Sequence, residues 1–166
     1  MTLTTTTTTG SPGIDRFSPA QLLRTARLFA SDPQLPDLVE PPSGEPGERR
    51  WVELDSSPYL QIWLLFWPIG TDTGWHDHGQ SAGAFLTVSG TLGEQTLHGH
   101  GRIDRTLITG EGRSFGPNHI HNVTNAGLET ALSVHLYTPR LTSTTRYAVT
   151  PAGLQATGTE RAGVDW

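Results

Sequence analysis

The chain has 166 residues, no cysteine, one methionine, 19 glycines, 12 prolines and a formal net charge of −5. These bounds exclude disulfides, thiolate metal sites and a cysteine nucleophile. The scatter of its 11 basic residues excludes recruitment of nucleic acid or an anionic membrane. An apolar content of 34% supports one sizeable core, and so much glycine and proline points to short strands joined by tight turns, an all-β single domain.

Residues 1–16 open on a threonine tract, MTLTTTTTTG, that has too little apolar surface to offset its ordering entropy, so disorder is expected there. This segment lacks the basic and apolar regions of a leader peptide, and the longest apolar run, Ile62 to Trp67, is too short for a bilayer; a cytoplasmic protein is expected. Ser18, Pro19 and Gln21 read as N-cap, first helical residue and capping-box partner, and Leu22, Leu23, Ala26 and Phe29 follow at helical spacing, predicting a short N-terminal helix over residues 19–30. Residues 32–48, broken by proline and glycine, read as a linker or irregular arm. Strand patterns follow at 50–54, 59–67, 84–89, 94–98, 105–108 and 131–138, the rhythm of a sandwich or barrel. The domain so defined covers residues 17–150, leaving 151–166 as a tail expected to pack loosely or fray.

The segment from Gly70 to Gly90 contains His76 and His78 two residues apart, a spacing that on a strand turns both imidazoles to one side. Gly70, His76, His78, Gly83 and Gly90 resemble the first cupin motif in every interval, except that Gly83 stands where many cupins carry a ligating glutamate. Downstream, GPNHIHNVTN resembles the second motif, whose histidine is followed four residues later by asparagine; His121 and Asn125 meet that condition, with His119 the competing choice. His98 and His100, flanked by glycines, read as surface turn residues. The resemblance implies a cupin, a small β-barrel or jelly roll, with His76, His78 and His121 as metal ligands. Three neutral imidazoles without a carboxylate leave a divalent ion its full charge and open positions.

Three longer stretches, HDHGQSAGAF, HNVTN and SVHLYTPRL, resemble the cysteine dioxygenase family of thiol dioxygenases, bacterial type, over about residues 50–147. That resemblance implies Fe(II) as cofactor and an arginine on an early strand that pairs with the substrate carboxylate. Arg50 falls in the matching place, with Arg49 and Arg140 as alternatives. Ser133, His135 and Tyr137 sit at i, i+2 and i+4 of one apolar strand, so three polar groups share a face and can form a hydrogen-bonded relay; by resemblance Tyr137 is the phenol beside the metal. The tyrosine–cysteine cross-link of some family members cannot form in a chain without cysteine. Trp63, Trp67 and Trp75 read as core or pocket wall. The implied reaction is oxidation of a small thiol by O2, with L-cysteine going to its sulfinic acid. No obligate protein partner is expected. The rival readings are a dioxygenase of 3-mercaptopropionate, an enzyme carrying cysteine further to a sulfonamide, a non-catalytic metal-binding sensor, and a zinc or manganese cupin isomerase or hydrolase.

Overall fold

The computed structural model describes residues 17–38, 47–99 and 101–162. The threonine tract, His100 and part of the linker lie outside them. Helix α1 (Pro19–Ala30) begins at the expected residue because the Ser18 hydroxyl accepts from the Gln21 amide while the Gln21 side chain accepts from the Ser18 amide. A single 3-10 turn, Leu35–Leu38, follows.

Eleven strands follow: β1 (Arg50–Ser56), β2 (Gln61–Trp67), β3 (Trp75–His76), β4 (Ala82–Ser89), β5 (Thr91–His98), β6 (Gly101–Ile108), β7 (Gly112–Phe115), β8 (His121–Thr124), β9 (Ala131–Thr138), β10 (Ser143–Thr150) and β11 (Gly153–Arg161). They form two antiparallel sheets, ordered β1-β2-β9-β4-β7 and β11-β10-β3-β8-β5-β6. This is the cupin jelly roll expected of the sequence.

The two sheets differ in how they are covered. Between them lies a core that includes Leu65, Trp67, Phe85, Leu92, Leu107, Phe115 and Val123. On the far side of the five-stranded sheet, Leu22 and Ala26 of α1 pack on Ile62, Ala84, Leu86, Val134 and Leu136. That sheet is therefore covered on both faces, which is why β2 reads as a nearly continuous apolar run; β9 is buried throughout but alternates, with Ser133, His135 and Tyr137 on one face. Among the described residues no helix covers the six-stranded sheet, and its outermost strand β6 is exposed along almost its whole length.

Three expectations need correction. Residues 151–162 are not a loose tail, residues 163–166 lying outside the described ones: β11 pairs with β10 from Thr150↔Gly153 to Ser143↔Arg161, so a domain boundary at residue 150 would cut a hairpin at its turn. Its weak apolar content belongs to an edge strand held by backbone pairing, with one face solvated. His78 is not on a strand with His76, because β3 ends at His76; the next residue, Asp77, accepts the Gly79 and Thr145 amides and turns the chain. Strands β7, β8 and β10 also escaped the sequence pattern, being short or largely polar.

Candidate metal centre

His76 on β3 is the direct cross-strand partner of His121 on β8, and His78 reaches the same point from just beyond β3. The ring centroids lie 4.8 Å (His76–His78), 4.9 Å (His76–His121) and 5.1 Å (His78–His121) apart. One ring nitrogen from each falls within 4.8 Å of the others, all three residues being buried. His76 Nδ1 lies 2.9 Å from the Gly74 carbonyl and His121 Nδ1 lies 3.0 Å from Glu94 Oε1. Both acceptors lack a proton, so each Nδ1 donates and each Nε2 keeps a free lone pair. The buried Nδ1 of His78 has no partner among the described residues. Burial, together with mutual repulsion, pushes the His76 and His78 pKa values well below the usual imidazole range; burial also lowers His121, against the pull of Glu94. Converging neutral imidazoles with unclaimed lone pairs fit a divalent cation.

Glu94, on β5, was not anticipated from the sequence. Its side chain is fully buried, with Oε1 accepting from His121 and from His119 Nε2 (3.2 Å) and Oε2 accepting from Arg113 Nε (2.9 Å). Burial opposes its charge, but the hydrogen bonds from His119 and His121 and the nearby positive charge hold it far below the usual carboxylate range. Glu94, His119 and His121 also form a group of potential ligands. Because Arg113 and both imidazoles already engage the carboxylate, Glu94 serves as an orienting partner for His121. His119 shares Oε1 with His121, the two rings lying 5.0 Å apart, and stacks on Phe115 at 4.7 Å.

The polar row on β9 is continuous and longer than expected. The Trp67 indole N–H donates to Ser133 Oγ (2.8 Å), Ser133 Oγ is 2.9 Å from His135 Nε2, and His135 Nδ1 is 3.3 Å from the Tyr137 hydroxyl. An indole only donates, so the arrangement that satisfies every group has Ser133 donating to Nε2 and Nδ1–H donating to the phenol oxygen. The Tyr137 proton is then left for the cavity. Burial pushes the His135 pKa down to about 3 and the Tyr137 pKa up, so both are neutral at ordinary pH. The Tyr137 ring lies 5.0 Å from that of His78 and meets Trp63 edge-on at 5.5 Å.

These groups open on one cavity of about 260 Å³. Arg49 lines it and Arg50 does not. On an extended chain Arg49 shares its side with Trp51, also at the cavity, whereas Arg50 has the parity of Val52 and Leu54, which pack into the outer clusters. The structure thus places Arg49, and not the expected Arg50, at the cavity. The Arg49 guanidinium sits 5.2 Å from the Trp67 ring centroid. Arg140 lines a separate surface depression with Pro139 and Gln80.

The sequence profile of the family described as cysteine dioxygenase type I matches residues 45–150. The chain belongs to the cysteine dioxygenase type I family. It is therefore an oxygenase-class enzyme on a cupin fold with a histidine triad fitted to a metal. No curated protein sequence matches it. Among solved structures it is similar to a conserved protein with a double-stranded β-helix domain from Klebsiella pneumoniae, at 18% identity and a TM-score of 0.53 over 74% of this chain and 93% of that one. It also resembles an oxalate oxidase, at 16% identity and a TM-score of 0.54 over 68% and 61% of the two chains. A third is a protein from Thermus thermophilus, TT1209, at 16% identity and a TM-score of 0.53 over 63% and 93%. These three likenesses show the fold.

Two motif residues of this cysteine dioxygenase family member acquire physical reasons. A Cβ on Gly83 would lie 2.5 Å from the Phe115 ring and 3.2 Å from that of Tyr137, so aromatic rings fill the space a ligating glutamate would need. Asn125 is a loop clamp: its amide donates to the Trp67 and Glu129 carbonyls (both 2.9 Å), and its oxygen accepts the Gly127 amide.

Two outcomes are expected of this centre. Glu94→Gln should weaken metal retention by about 10–100-fold in a chelator competition, the usual scale for losing an orienting carboxylate, while His119→Ala should cost far less. Acid should also destabilise the metal-free protein. The unfolded chain protonates its histidines near pH 6.5, whereas the fold keeps His76, His78, His121 and His135 neutral; stability is therefore complete above that pH and falls below it, for His135 down to about pH 3. Urea midpoints measured from pH 7.5 to 5 should drop, and His135→Asn should flatten that slope by up to about 1.4 kcal/mol per pH unit.

Proposed function

We propose that this protein is a non-haem iron(II) thiol dioxygenase that converts L-cysteine to cysteine sulfinic acid. One thiol and one O2 give one sulfinic acid: the S–H proton becomes the acid proton and both oxygen atoms end on sulfur, which is oxidised as O2 is reduced. The observation that carries this reading is the meeting, in one small cavity, of the three neutral imidazoles, the Tyr137 phenol and the guanidinium of Arg49. His76, His78 and His121 would hold the iron, which supplies a point where thiolate and O2 meet and the electron transfers that triplet O2 requires.

The chain's own residues do the rest. Arg49 has no ion-pair or hydrogen-bond partner among the described residues, and its planar fork suits the two oxygens of a carboxylate. Its half-buried position, flanked by Trp51, Trp63 and the apolar side chains of Leu65, Val123 and Leu141, strengthens that pairing by excluding water. Tyr137 presents its proton toward the reacting atoms, oriented by His135, Ser133 and Trp67. A passive binding barrel has no need of a four-residue chain that ends on a phenol beside open imidazoles.

Metal analysis of protein purified without oxygen should find iron, and an oxygen electrode with product mass spectrometry should find one O2 consumed per sulfinate formed from L-cysteine. Tyr137→Phe should keep iron and fold but lower turnover about 10–100-fold, the scale for losing one such contact. Arg49→Lys should raise KM for cysteine about tenfold because a point ammonium loses the paired hydrogen bonds, and cysteamine, which lacks the carboxylate, should be a poor substrate of the parent. Sulfur left unoxidised with every thiol tried, by iron-loaded protein, would overturn the assignment. A product beyond the sulfinate would move the enzyme to sulfonamide-type chemistry at the same site.

A further inference from the structure

Apart from its neutral imidazoles and phenol, the cavity is lined, among the described residues, by three ionisable side chains, Arg49, Arg146 and Glu160. Two guanidinium charges against one carboxylate leave a single net positive charge in the described wall. The two arginines are not in equivalent states. Arg146 is held at both ends of its fork, Nη1 donating to the Thr73 carbonyl (2.8 Å) and Nη2 to Glu160 Oε2 (2.7 Å). Arg49 has, among the described residues, the face of Trp67 and no hydrogen-bond or ion-pair partner. The Arg146 arrangement follows from register: Thr144 and Arg146 alternate on the cavity side of β10, and Glu160 is the β11 partner of Thr144, one diagonal step from Arg146.

The Arg146–Glu160 pair does little for the fold. Both side chains are about a third exposed (34% and 38%), and ion pairs in that setting contribute little to stability. What the pair changes is the charge seen by a molecule entering the cavity.

Building on the thiol dioxygenase reading above, we propose that Glu160 is a specificity-determining residue. By engaging Arg146 it leaves Arg49 as the one free carboxylate anchor among the described cavity residues, and it places a carboxylate in the cavity wall, so the site selects amino-acid thiols, with one carboxylate beside an α-ammonium, over thiols that lack the ammonium or carry a second carboxylate. Like charges brought together in a partly desolvated site discriminate strongly between ligands, and here the repulsive element is as important as the attractive one.

The test uses the iron-loaded protein and three probes: L-cysteine, 3-mercaptopropionate and mercaptosuccinate. Affinities are measured by calorimetry without oxygen, and kcat/KM is measured in air. The parent should prefer cysteine. Glu160→Gln frees Arg146 and removes the wall carboxylate, so the preference for cysteine over each of the other two should fall by about tenfold or more, with iron content and thermal midpoint unchanged. Glu160→Asp keeps the charge and should retain most of the parent's selectivity. A Glu160→Gln protein with the parent's ratios, or a Glu160→Asp protein that loses selectivity as fully as Glu160→Gln, would overturn the role of the carboxylate while leaving the thiol reading intact. A parent that binds none of the three thiols would overturn the thiol reading, and this inference with it.

Discussion

A buried carboxylate, Glu94, is the interaction on which the metal centre depends. It stands on β5 of the six-stranded sheet yet accepts from Arg113 on β7 of the other, so one side chain ties the two sheets together inside the barrel. The same group accepts from His121 and His119. Its charge survives burial because three donors surround it, and its removal would leave a half-buried guanidinium without its partner. Orientation of His121 toward His76 and His78 is therefore coupled to the closure of the barrel, and ligand geometry is inherited from the fold rather than from the loop that carries GPNHIH.

The asymmetric covering of the two sheets places the chemistry. Helix α1 seals the outer face of the five-stranded sheet, so β9 is buried on both sides and can present Ser133, His135 and Tyr137 from a rigid, dry platform. The opposing sheet supplies His76, His121, Arg146 and Glu160 from β3, β8, β10 and β11, of which β10 and β11 are partly exposed. Rigid relay on one wall and hydrated binding surface on the other is a division of labour suited to fixing a reacting atom while letting substrates exchange.

Electrostatically, the cavity is built to receive charge. Four imidazoles and one phenol are kept neutral by desolvation, so nothing among them competes with an incoming cation. Among the described residues, the permanent charges that line the cavity itself are those of Arg49, Arg146 and Glu160. Of these, Arg49 alone has no hydrogen-bond or ion-pair partner among the described residues, which concentrates anion attraction at a single point.

The sequence by itself determined the all-β jelly roll, the capped helix at residues 19–30, the histidine triad and the row at 133, 135 and 137. Each rests on a short-range regularity: a capping box, a two-residue repeat, or a fixed interval between motif residues. Tertiary structure decided what depends on long-range pairing. Arg49 rather than Arg50 faces the cavity because of strand parity relative to the second sheet, which two adjacent arginines cannot reveal. Glu94 looks in sequence like a solvated strand residue, and only the approach of Arg113 and His121, 19 and 27 residues away, makes it a buried orienting group. Trp67 joined the relay because β2 lies beside β9. The tail became β11 because an edge strand needs a partner's backbone more than apolar side chains, and that pairing alone brought Glu160 to Arg146.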